Sequence, residues 1–95
     1  MNDRNFIFSG HAVTQMFKRQ ISRDDVKIAI SIGEVIEEYL DDKPYPSCLL
    51  LAVVRERPLH IVVAKDSEAK AVYVITAYEP AKDIWDAEFK NRRQE

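Results

Sequence analysis

Apolar and polar positions in this chain change period between its two halves. From Tyr45 to Pro80 three apolar runs, Cys48–Val54, Leu59–Ala64 and Ala71–Ala77, are rich in Val, Ile, Leu and Tyr and separated by charged or Pro-containing breaks. Runs of that length and composition predict strands. The breaks Arg55-Glu56-Arg57-Pro58 and Lys65-Asp66-Ser67-Glu68-Ala69-Lys70 are too short for parallel crossovers, so they predict antiparallel hairpins. Apolar residues of both parities, as in Leu49-Leu50-Leu51 and Ile61-Val62-Val63, predict a sheet covered over much of both faces.

Ahead of these strands the spacing turns helical. Ser9 is placed to cap a helix from about Gly10 to Arg19 or Gln20, with Ala12, Val13, Met16 and Phe17 as its buried stripe. His11, Gln15, Lys18 and Arg19 fall on or beside a second, polar face. Ser22 is the next cap, with Asp25 at the capping-box position and Ile21 and Val26 at the staple positions. The helix it opens is expected to bury Val26, Ala29, Ile30 and Ile32 and to end at a left-handed Gly33. Phe6-Ile7-Phe8 reads as an edge strand or a lid on the core. Glu34–Leu40, partly alternating and acidic, reads as an edge strand, followed by the turn-rich loop Asp41–Pro46. Ala81–Lys90 has helical spacing with Ile84, Trp85 and Phe89 on one side, and 91–95 reads as a tail. The expected fold is α+β: two N-terminal helices packed on an antiparallel sheet of about four strands, with a C-terminal helix.

Composition narrows the class. Ninety-five residues suit one domain with one core, spanning 1–95. The single Cys, Cys48, sits inside an apolar strand and reads as a buried structural thiol. No apolar run approaches membrane-spanning length, and the first residues lack the plan of a signal peptide; a soluble, cytoplasmic protein is expected. The formal charge of -2 and pI of about 5.7 supply no global attraction for nucleic acid, so any such binding needs a local basic patch.

No motif fixes a chemistry. With only Gly10 and Gly33 there is no Gly-rich phosphate loop, and neither a zinc-type Cys/His cluster nor a nucleophile elbow is present, so no metal or cofactor is expected. His11, Lys18, Arg19, His60, Thr76, Tyr78 and Glu79 converge only if the first helix packs across the sheet. Whether His60 and Thr76 share a face depends on the hairpin loop, because one residue more or less reverses the parity. Each also has a plain structural reading: His11 as an exposed or capping residue, His60 as a hydrogen-bonded core residue, Lys18 and Arg19 as a solvated face. Tyr73 and Tyr78 read as packing residues, Trp85 as a core or interface anchor, and Arg55 and Arg57 as turn charges or the rim of an RNA groove.

Ser9-Gly10-His11-Ala12, the pattern around Arg19 and Ile21, Gly33-Glu34-Val35-Ile36, Tyr45-Pro46-Ser47-Cys48-Leu49-Leu50, Arg57–Ala64 and Val74–Pro80 together resemble the family catalogued as domain of unknown function 4258, over about Phe8 to Pro80. That family in turn looks distantly like the RelE-type toxin ribonucleases of bacterial toxin-antitoxin systems. The resemblance implies metal-independent RNA cleavage by attack of the ribose 2'-OH, which needs a base, an acid and a cation on the phosphorane. In that reading His11 and His60 are the acid and base candidates, Tyr78 positions the substrate or donates a proton, and Lys18, Arg19, Arg57 and Thr76 hold substrate. The implied partners are an antitoxin protein and RNA or the ribosome, with a homodimer as a further assembly and no membrane. The family pattern carries Arg at the position of Gln15 and Gly at that of Gln20, so this chain has one cation fewer at the site. Two further readings stand beside the enzyme: a protein-binding module using the sheet edge or the Trp85 helix, and a degenerate toxin that keeps its partner but not its chemistry. Convergence of His11, Arg19, His60 and Tyr78 on one cleft favours the enzyme, whereas their dispersal with an exposed apolar patch favours the binding module.

Overall fold

Two serines start the helical half of the molecule. In the computed structural model, which describes residues 5–66 and 68–81, the Ser9 hydroxyl accepts from the Ala12 amide at 3.0 Å and opens α1 (Gly10–Arg19). The Ser22 hydroxyl accepts from the Asp25 amide at 3.0 Å and opens α2 (Arg23–Ile32). The expected capping-box acid, Asp25, turns its carboxylate instead to Arg55 Nε at 2.9 Å. Ser9 also donates from its hydroxyl to the Ile75 carbonyl at 3.0 Å, which ties the start of α1 to the sheet.

The sheet has five strands, β1 (Asn5–Phe8), β2 (Glu34–Tyr39), β3 (Ser47–Val54), β4 (Arg57–Asp66) and β5 (Ala71–Tyr78), in the order β1-β5-β4-β3-β2. β2 to β5 form the expected antiparallel meander. The expected all-antiparallel sheet of about four strands is corrected at its edge, where Phe6-Ile7-Phe8 pairs parallel with β5 and makes the sheet mixed. A four-residue run reads ambiguously by itself; its partner lies more than sixty residues along the chain, and local pattern carries no signal for that pairing. The expected C-terminal helix over 81–90 falls, from residue 82 on, outside the described residues.

Both helices cover one face of the sheet. Ala12, Met16, Val26, Ala29 and Ile30 pack there with Leu50, Leu59, Ile61, Val63, Val72 and Val74. Side chains of alternate parity, among them Leu49, His60 and Ala64, point to the far face and are also buried, so the two-sided cover expected from the strand pattern is present. The helix stripes are narrower than expected. Val13 is 40% and Phe17 85% exposed on α1, and Ile32 is 62% exposed at the end of α2. On a ten-residue helix laid on a sheet, only the row directly facing the strands is covered, here Ala12 and Met16.

Two connections depart from their expected geometry. Gly33 is extended (φ -70°, ψ 155°), not left-handed. The left-handed cap belongs to Gln20 (φ 57°, ψ 46°), where the chain turns from α1 towards α2. A side chain at such a φ is strained, so Gln20→Gly is expected to raise stability by about 0.5–1 kcal/mol, read as a higher thermal midpoint by circular dichroism. The β3–β4 connection is a two-residue turn in which Arg55 and Glu56 both have positive φ (53° and 69°), not the four-residue loop read from the sequence.

Candidate functional site

The β4–β5 register and a bulge in it settle which polar residues meet. Pairing of His60 with Tyr78 and of Val62 with Thr76, before the register shift at Val62/Val63, puts His60, Thr76 and Tyr78 on the far face. His60 Nδ1 lies 3.3 Å from the Tyr78 hydroxyl, and the rings meet edge-on with centroids 5.3 Å apart. His60 is 0% exposed and Tyr78 half-buried, so a bulky phosphodiester reaches the imidazole only if the surrounding structure opens.

His11 lies elsewhere. It is exposed in the first turn of α1, which packs on the opposite face, so the sheet stands between the two histidines. Lys18 and Arg19 are exposed in the last turn of the same helix, where their charge favours the helix C-terminus.

Arg57 joins these elements, although its guanidinium is engaged within the fold. Nε donates to Glu79 Oε1 at 2.9 Å, Nη1 donates to the Gln20 carbonyl at 3.0 Å, and Nη2 donates to the Arg19 carbonyl. The planar fork thus caps the C-terminus of α1, whose last carbonyls have no partner within the helix, and holds it against the ends of β4 and β5. A phosphate would have to compete with all three acceptors. The signal for this role was the αL turn at Gln20, which a sequence lacking Gly there does not advertise.

The β2–β3 loop supplies a group that the sequence reading left aside. Tyr45 stacks on Tyr73 of β5 with centroids 5.6 Å apart and planes 8° from parallel. Asp66 beside its hydroxyl, by hydrogen bond and by charge, raises the Tyr45 pKa above the usual phenol value, so Tyr45 stays protonated at neutral pH. Cys48, expected buried, is only half-buried against the core; desolvation still raises its thiol pKa and keeps it protonated at neutral pH. Among the described residues no three His, Cys, Asp or Glu side chains gather as a metal site, and no helix is long and apolar enough to cross a membrane.

The candidates therefore divide into buried His60 with half-buried Tyr78 and Thr76 on the far face, and His11, Lys18 and Arg19 on α1. Comparison with curated proteins and with solved structures finds no match. The family model described as "Domain of unknown function (DUF4258)" matches residues 8–79, most of the length, and the chain belongs to that family.

Proposed function

We propose that this domain is a protein-binding module that docks an acidic, amphipathic segment of a partner on α1. The observation that carries the reading is Phe17, a large apolar side chain 85% exposed, with Val13 one turn before it. Phe17 and Met16 line a shallow groove of about 580 Å³ with Lys18, Gln20, Ile21 and Ser22. Lys18 stands at this groove and exposed Arg19 follows it at the same helix end, whereas Arg23 lies over the Phe8 ring, 5.2 Å from its centroid. An apolar anchor beside basic side chains complements a helix or strand with apolar residues on one side and carboxylates flanking them. Covering a phenylalanine recovers about 1.5–3 kcal/mol. An antitoxin, the partner implied by the family resemblance, is one protein that could supply such a segment, and binding it needs no catalysis.

A second reading, a RelE-like ribonuclease, is favoured by one feature. His60 and Tyr78 pair within 3.3 Å, with Thr76 on the same face. The separation of His11 from His60 and the engagement of Arg57 weigh towards the first.

The test is native capture of partners by wild type and by Phe17→Glu, Lys18→Glu and His11→Ala, with the bound segment mapped by cross-linking. An acidic segment cross-linked to α1, and affinity lowered about a hundredfold or more by Phe17→Glu, is the expected result, on the scale of an interface hot spot. His11→Ala should bind as wild type. Because Phe17 is exposed, the variant should melt within about 0.5 kcal/mol of wild type. Capture that ignores Phe17→Glu, or a bound segment that is basic, sinks the reading.

A further inference from the structure

The β2–β3 loop encloses a second space. Between the loop and the sheet lies a cavity of about 420 Å³ walled by Pro44, Tyr45, Ala64, Tyr73 and Ile75, with Asp42 and Lys43 also in its lining. Ala64 is small and Tyr45 is held parallel to Tyr73, so the two rings present aromatic surface to a space large enough for a small ligand.

Carboxylates around this space are anchored. Asp42 Oδ2 accepts from the Ser47 hydroxyl, and Asp66, beside the Tyr45 hydroxyl, accepts from the Glu68 and Ala69 amides at 3.2 and 3.3 Å. Asp42 in the lining and Asp66 at the Tyr45 hydroxyl stand as two carboxylates against the ammonium of Lys43. A phosphate or carboxylate ligand would meet this net negative charge. A cation meets it favourably and also gains from the ring faces, whose quadrupole is negative.

We propose that the cavity is a binding site for a small organic cation, an ammonium or guanidinium group on an apolar body. The apolar body fills the space against Pro44, Ala64 and Ile75, the charged head lies on the Tyr45–Tyr73 surface, and Asp42 supplies the counter-charge. Such a group comes either from a free alkylammonium or from a lysine or arginine side chain of another protein. The site lies across the sheet from α1 and stands or falls independently of the docking proposed there.

The experiment is a titration of the full chain with tetramethylammonium and, separately, with a short peptide carrying trimethyl-lysine, followed by NMR of the Tyr45 and Tyr73 rings. Guanosine monophosphate serves as the anionic aromatic control. Saturable shifts of both rings by the cation and none by the control are expected. Tyr73→Leu should weaken binding about threefold to thirtyfold, on the scale of a desolvated cation–π contact. Asp42→Asn should weaken it, Lys43→Gln should strengthen it, and Ala64→Leu should abolish it by filling the cavity. A peptide that binds at least tenfold tighter than the free cation identifies a protein-borne ligand; equal or weaker binding identifies a free one. Absence of saturation at tens of millimolar, a response to the nucleotide alone, or a cation response unchanged in both Asp42→Asn and a folded Ala64→Leu overturns the proposal. Thermal melts establish that each variant is folded.

Discussion

Gly33→Ala is expected to destabilise the domain by about 2–3 kcal/mol, the cost of forcing extra volume into a packed position. A Cβ built on Gly33 lies 2.5 Å from the Ala29 carbonyl oxygen, with the Leu50 side chain and the Leu51 carbonyl each at 3.4 Å. The first of these is backbone of α2 itself, so relief requires the last turn of α2 to shift relative to the start of β2. For a domain of this size the loss corresponds to a fall of roughly 10–20 °C in the thermal midpoint. Gly10 is the control: a Cβ there meets nothing within 4 Å, and Gly10→Ala should be neutral or slightly stabilising. Equal effects at the two glycines would mean that close approach at the α2–β2 junction is not what Gly33 provides.

His60→Ala is expected to cost about 2–4 kcal/mol, because it leaves a cavity and removes a hydrogen-bonding ring from a fully buried position. His60→Asn retains a polar atom near the place of Nδ1 and should recover part of that loss through Tyr78, whereas it cannot transfer protons near neutral pH. The two variants therefore separate packing from chemistry when stability and RNA cleavage in EDTA are measured together. Recovered stability in His60→Asn, with no cleavage by wild type, assigns the pair to the core and leaves the docking module standing. Cleavage by wild type that falls about a hundredfold in a folded His60→Asn would instead establish the ribonuclease reading and make His60 its proton carrier.

Local chemistry alone determined much of this molecule. Ser9 and Ser22 sit before apolar residues at helical spacing, and a cap needs only its own following turn, so both helix starts were readable residue by residue. The three central strands and their antiparallel order were equally legible, since short connections between apolar runs leave the chain no other route. The family followed from blocks of residues in order along the chain. The candidate site was legible only as a set of residue types. Arg55-Glu56 contains neither Gly nor Asn, so nothing announced a two-residue turn. The β4–β5 register and the bulge at Val62/Val63, which has no local mark, set His60, Thr76 and Tyr78 on one face. Arg57 read as a free cation until the fold brought the α1 carbonyls and Glu79 within its reach. Tyr45 and Tyr73, more than twenty residues apart in sequence, meet only when the β2–β3 loop folds onto the sheet. What the sequence determined by itself depends on contacts within a turn or a hairpin. What only the tertiary structure decided, namely β1 beside β5, His11 and His60 on opposite sides of the sheet, and Phe17 left in solvent, depends on register and on the width of the packed stripe. Those are properties of elements brought together across the fold.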